Sequence, residues 1–197
     1  MEAFIRNTFF CVIFCLFGLS IAPVNVSAQS ATATYTVYVP LASTSAQVTA
    51  PNTSIQQRVI DLINAERHAN GCNVDLQLSS QLTDAAYGHS QDMAVNNYFS
   101  HTGSDGSTMA DRVQATGYSY SWLAENIAAG YSTPEDVVAG WMNSAGHRKN
   151  ILNCNLKETG VGYYYESNDQ ANVRSDSGQM SGPYRYYWTE DFGAPSQ

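Results

Sequence analysis

The chain has 197 residues, 44% hydrophobic and 12% aromatic, with only 13% charged and a formal net charge of −8. That is enough for one domain with its own core, and 13 Tyr with 3 Trp exclude an intrinsically disordered protein. The few Lys and Arg, 9 against 17 acidic residues, leave no basic face for a nucleic-acid backbone or a polybasic membrane patch.

Met1 to Asn7 carries one Arg, and Phe9 to Ala22 is nearly all apolar before Pro23. Val26-Ser27-Ala28 then supplies small residues for signal-peptidase cleavage, so residues 1–28 are expected to be a secretory leader and the protein to be secreted. An uncleaved anchor is the alternative, but about 14 apolar residues fall short of the ~20 that span a bilayer. Phe14 before Cys15 does not suit lipidation. No stable membrane insertion is expected after cleavage.

Cleavage removes Glu2 with Arg6, which leaves the net charge unchanged, and removes Cys11 and Cys15. Cys72 and Cys154 remain, 82 positions apart. In an exported protein such a lone pair reads as a disulfide rather than a metal site, with two buried thiols as the alternative.

Residues 29–54 are rich in Ser, Thr, Ala and Val, contain Pro40 and Pro51, and carry no charge, as a linker or tail does. Tyr35 to Leu41 alternates enough for a short strand, and Asn52-Thr53-Ser54 matches a glycosylation sequon. The domain proper is expected over 55–194.

Ile55, Val59, Leu62, Ile63 and Ala69 follow a period near 3.6 and Gly71 supplies a stop, which predicts a helix from Ile55 to Asn70. Ser79 or Ser80 caps a second helix whose stripe of Leu82, Ala86, His89 and Met93 points His89 at the core. A shorter helix fits Met109 to Ala115, ended by Gly117. Thr133 as N-cap, Pro134 at the first helical position and Glu135 with Asp136 in the first turn open a fourth, which should fray near Ser144 to Gly146. Thr159 to Glu166 and Tyr184 to Phe192 read as strands, with a polar loop from Ser167 to Pro183 between them. Helices first and a strand pair last predict an α+β fold with helices packed on a small antiparallel sheet.

There is no GxSxG, HExxH, Walker, GxGxxG or CxxC motif. The polar residues left in oddly uncharged surroundings are His101, Glu125 and His147, each expected in or beside a loop.

The segments around these residues resemble the CAP superfamily of cysteine-rich secretory, antigen 5 and pathogenesis-related proteins, in its bacterial SCP-like branch. They are Phe99-Ser100-His101 with Asp105-Gly106, Glu125-Asn126-Ile127-Ala128, Trp141-Met142-Asn143-Ser144 running into His147-Arg148-Lys149-Asn150-Ile151-Leu152, and Gly160-Val161-Gly162. The resemblance implies a three-layer α-β-α sandwich and a cleft lined in many members by two His and two Glu. Here the histidines fall on His101 and His147 and one glutamate on Glu125. The second falls on Ser144, so the tetrad is incomplete.

Three readings of His101, Glu125 and His147 stay open: a hydrogen-bond network bracing the loops, a three-ligand site for Zn²⁺ or another divalent cation, or catalysis, with a metal-dependent peptidase-like hydrolase as the form it would take. Ser144, Arg148 and Asn150 are expected to support the cleft. No cofactor is required by any motif. The partner expected is a small apolar ligand, lipid, glycan or peptide, with Tyr118, Tyr120, Trp122 and the late tyrosines as candidate rim residues.

Overall fold

The computed structural model describes residues 53–176 and 178–196, with side chains from residue 55 onward. The leader expected at residues 1–28, the strand expected at Tyr35 to Leu41 and the sequon's Asn52 lie outside the described residues.

In chain order the elements are α1 (Thr53–Ala69), β1 (Gln77–Leu78), α2 (Ser80–Val95), β2 (Tyr98–Phe99), α3 (Met109–Ala115), β3 (Tyr120–Ala129), α4 (Pro134–Asn143), α5 (Ala145–Ile151), β4 (Glu158–Tyr165), β5 (Val173–Ser175), β6 (Met180–Ser181) and β7 (Tyr186–Pro195). The caps fall where local chemistry puts them. Ser79 accepts from the Leu82 amide, Thr108 and Asp111 form a capping box, and Thr133 accepts from the Asp136 amide behind Pro134. Gly71 closes α1 at φ 86°, a left-handed conformation that costs glycine little.

Four strands form the main sheet in the order β1-β4-β7-β3. The β3–β7 and β4–β7 pairs are antiparallel, and β1 runs parallel to β4 at the edge. The central strand β7 is covered on both faces and alternates between them. Trp188 and Phe192 join Val59 and Ile63 of α1 and Val137 and Trp141 of α4 in one core. On the other face, Tyr187 packs with Met93 and Ala94 of α2, and Thr189 accepts from Ser90 at 2.9 Å. Helices on both faces of the sheet make the three-layer α-β-α sandwich.

The Gly160-Val161-Gly162 segment has a steric role. A Cβ at Gly160 would stand 2.0 Å from the Thr83 nitrogen, and one at Gly162 would stand 2.2 Å from the Ala86 carbonyl carbon. The backbone of α2 therefore lies directly on β4, and only glycine fits beneath it.

Two further features fasten the opposite face. Cys72 and Cys154 form a disulfide, which closes an 82-residue separation and contributes up to about 4–5 kcal/mol in a chain-entropy account. The Arg67 guanidinium, fully buried, donates to the carbonyls of Val74, Ile151, Asn153 and Leu156. It ties α1 to the segment leading into β4.

Three expectations change. The loop from Ser167 to Pro183 contains β5 and β6, which join β2 in a second, three-stranded sheet. The chain does not simply fray after Ser144 but starts α5 at Ala145. Glu125 is not beside a loop: it sits in the middle of β3, which shows no period-2 signal because Glu125, Asn126, Ile127 and Ala128 are all buried.

Candidate functional site

Glu125 is the hub of the site. On β3 it points to the α2 side of the sheet with only 4% of its side chain exposed, and each of its oxygens has its own partner. His101 Nδ1 donates to Oε1 at 2.7 Å, and Arg112 Nη2 donates to Oε2 at 2.6 Å. Arg112, on α3, also reaches the carbonyls of His101 and Ser107 and so fixes the loop that carries His101. The far end of that loop is anchored by Asp92, which accepts from the Ser104 amide and hydroxyl at 2.9 and 2.6 Å. Partial burial alone would push the Asp92 carboxyl up, but bonds from Ser104, Tyr98 and Asn96 hold it down at about 2.

His147 comes from α5, on the other side of β3. Asn126 Nδ2 donates to the His147 carbonyl at 3.3 Å, while Asn150 Nδ2 donates to Asn126 Oδ1 at 2.9 Å and to the Glu125 carbonyl at 3.2 Å. Asn150 thus braces the strand under Glu125, and Arg148 holds the α4–α5 corner through the Met142 carbonyl at 2.7 Å.

The two imidazoles are electrostatically unequal. The hydrogen bond to Glu125 raises His101 above the ordinary histidine value, against the effect of its own partial burial. Burial lowers His147, and the nearby His101 charge lowers it further. For Glu125 burial works upward, yet the His101 hydrogen bond and the surrounding charges of His89, Arg112 and His101 outweigh it, and the carboxyl is held below its usual range. The mouth therefore offers one imidazole that favours its proton and one that favours losing it.

Beneath the hub lies a second polar layer. Asp191 on β7 is the cross-strand partner of Glu125 and is fully buried next to that carboxylate. Burial first, and the Glu125 charge second, push its carboxyl well above the usual carboxylate range. His89, fully buried on α2, donates from Nε2 to the Ser100 carbonyl at 2.9 Å and leaves Nδ1 without a partner. That complete burial matches the core-facing orientation expected for His89, and it lowers the imidazole below the ordinary histidine value.

Two small cavities open beside the hub. One, of about 340 Å³, is lined by Phe99, His101, Ile127, His147, Ser175 and Asp176. The other, of about 270 Å³, shares Phe99, Ile127 and His147 and continues to Tyr131, Trp141 and Ser144. Their walls are mostly aromatic and aliphatic; the polar groups are His101, His147, Ser175 and the Asp176 carboxylate in the first cavity and His147 with Ser144 in the second.

His101 bonds to Glu125, and His101 and His147 line one cavity, but the three do not stand as equal metal ligands. Glu125 stands behind His101 with both oxygens engaged, and among the described residues no three His, Cys, Asp or Glu side chains converge as a metal cage requires. The arrangement does not fit a three-ligand site.

The aromatic rim expected from the sequence also lies elsewhere. Tyr118 is buried under Gly193, Tyr120 bonds to Gln114, and Trp122 lines a separate groove. Of the later tyrosines, Tyr184 packs on Phe99 at the cavity wall. Sequence reasoning missed Arg112 and Asp191 as parts of the site. Arg112 carries no motif signal, and Asp191 hides in a strand of aromatic and β-branched residues.

The family model for the cysteine-rich secretory proteins, CAP, matches residues 60–192, well over half of the chain. The chain belongs to the CAP family. It is 46% identical over 108 residues to the uncharacterised protein YkwD of Bacillus subtilis, a match covering 55% of this chain and 42% of YkwD. Among solved structures it resembles an extracellular SCP-domain protein of Bacillus anthracis, with a TM-score of 0.57, 35% identity, and coverage of 71% of this chain and 40% of the other. It thus spans about two fifths of each. An outer surface protein of Borrelia burgdorferi shares the CAP fold at 18% identity with a TM-score of 0.58, over 75% of this chain and 97% of that one. The Glu125, His101 and His147 constellation therefore stands on a CAP scaffold.

Proposed function

We propose that this CAP domain works outside the cell as a binding module for a small, largely apolar ligand with one polar end. The observation that carries this is the junction of the two cavities at Phe99, Ile127 and His147, where apolar walls lead to a polar end formed by two imidazoles and the Asp176 carboxylate. An apolar body fits the Trp141 and Tyr131 side, and a polar end meets His101 and His147, held in place through Glu125. Export is supported by the leader-like pattern of residues 1–28 and by the similarity to a Bacillus anthracis protein described as extracellular. Among the described residues, no helix is long and apolar enough to cross a membrane.

The test is equilibrium titration of the purified protein with fatty acids and sterols, beside cell-wall glycans and peptides as competing classes. Saturable binding of the apolar compounds, weakened by His147→Ala, is the expected result. Binding of glycans or peptides alone would transfer the site to those classes.

A second reading, a hydrolase, rests on the His101–Glu125 pair, in which a buried carboxylate orients an exposed imidazole able to transfer protons. Peptide turnover abolished by His101→Ala would establish it. If Glu125→Gln changed thermal stability and neither binding nor turnover, the site would be a structural brace.

A further inference from the structure

A separate groove of about 660 Å³ lies between the edge strand β3 and the end of α5, lined by Trp122, Leu123, Ala124, Lys149, Asn150, Leu152 and Asn153. It shares no lining residue with the His101 and His147 cavities. The indole of Trp122 is 60% exposed, whereas Trp141 and Trp188 are essentially fully buried. β3 is the edge of the sheet, and its register shifts between Tyr120 and Trp122, where the strand bulges.

The polar groups around the indole are only partly used by the fold. Lys149 has no ion pair or hydrogen bond among the described residues. Asn150 commits its Nδ2 inward and leaves its Oδ1 free, and Asn153 uses its Oδ1 for the Asn155 amide and leaves its Nδ2 free. An exposed aromatic plate, two amide groups and one ammonium form a set of distinct chemistry. The plate stacks against the C–H face of a ring, the amides match hydroxyls, and the ammonium matches an anion. Although the chain as a whole carries −8, the unpaired Lys149 beside the exposed indole gives this groove a local positive charge that favours an anionic ring.

We infer that the Trp122 groove is a binding site for a carboxylated saccharide, with a sugar ring stacked on Trp122, its carboxylate at Lys149 and its hydroxyls at Asn150 and Asn153. This goes beyond the cleft described above and stands or falls separately from it.

The probe is tetragalacturonate, with its uncharged methyl ester as control. Iodide quenching reads Trp122 selectively, because the other two indoles are buried. Tetragalacturonate should protect the fluorescence saturably. By calorimetry, Trp122→Ala should weaken binding at least about tenfold, and Lys149→Gln should weaken it about fivefold while leaving any binding of the ester unchanged. Both positions are exposed, and circular dichroism would verify the fold of each variant. Ser144→Leu, which lies in the other cavity, should have no effect. The proposal is overturned if tetragalacturonate gives no protection, if the ester binds equally well, if Trp122→Ala binds as tightly as wild type, or if protection depends on protein concentration without sugar, which would mean that a second copy covers the groove.

Discussion

His101 Nδ1 lies 2.7 Å from Glu125 Oε1, with half of the imidazole exposed and the carboxylate almost entirely enclosed. The buried member sets the behaviour of the exposed one, and this coupling has a pH signature. A raised histidine contributes stability that is complete below its unfolded value near 6.5 and is lost as pH rises through its folded value. A lowered glutamate contributes stability that is complete above its unfolded value near 4.5 and is lost as pH falls through its folded value. The pair therefore stabilises most fully between about pH 4.5 and 6.5. In Glu125→Gln, the His101 midpoint followed by NMR should move down from its wild-type position. An unmoved midpoint would show that another group raises His101.

Removing Arg112 should cost far more than removing a surface cation. Arg112 and Glu125 side chains are 11% and 4% exposed, so Arg112→Ala strands a buried carboxylate and should destabilise by about 3–5 kcal/mol. Arg58 pairs with Glu135 at 2.8 Å, but both are 53% exposed, and Arg58→Ala should cost no more than about 1 kcal/mol. Urea unfolding of the two variants checks the ranking.

Ser144 and His147 line the same cavity, and the CAP resemblance puts the missing glutamate of the tetrad at position 144. Ser144→Glu supplies a carboxylate that is not already held by His101 and Arg112. Zinc affinity measured by calorimetry should then rise by about tenfold or more over wild type. An unchanged affinity would mean that residue 144 and the two histidines do not converge on one ion.

Much of this fold is legible in the sequence because its signals are local. Ser79 and Thr133 mark helix starts through hydrogen bonds made within one turn, Pro134 does so through its fixed φ and missing N–H, and Gly71 and Gly117 mark helix ends. The strand at Tyr120–Ala129 is not legible, since burial on both faces erases the alternation that would reveal it. Helix α5 has a single fully buried residue, Ile151, and so no apolar stripe to read. At the site, His101, Glu125 and His147 could be picked out from their segments, but their roles could not. That Glu125 stands behind His101 depends on Arg112 arriving from α3, a relationship set by tertiary packing. Asp191 joins only through the β3–β7 register.

The central claim, that His101 and His147 guard an apolar binding cavity, is tested most directly by NMR titration of the purified protein with a series of fatty acids and sterols. Wild type should show saturable shifts concentrated at Phe99, His101, Ile127 and His147. In Ser144→Leu, whose larger side chain fills space next to His147, the affinity should fall at least about tenfold. Wild-type shifts that are absent, or that appear elsewhere and are indifferent to Ser144→Leu, would contradict it.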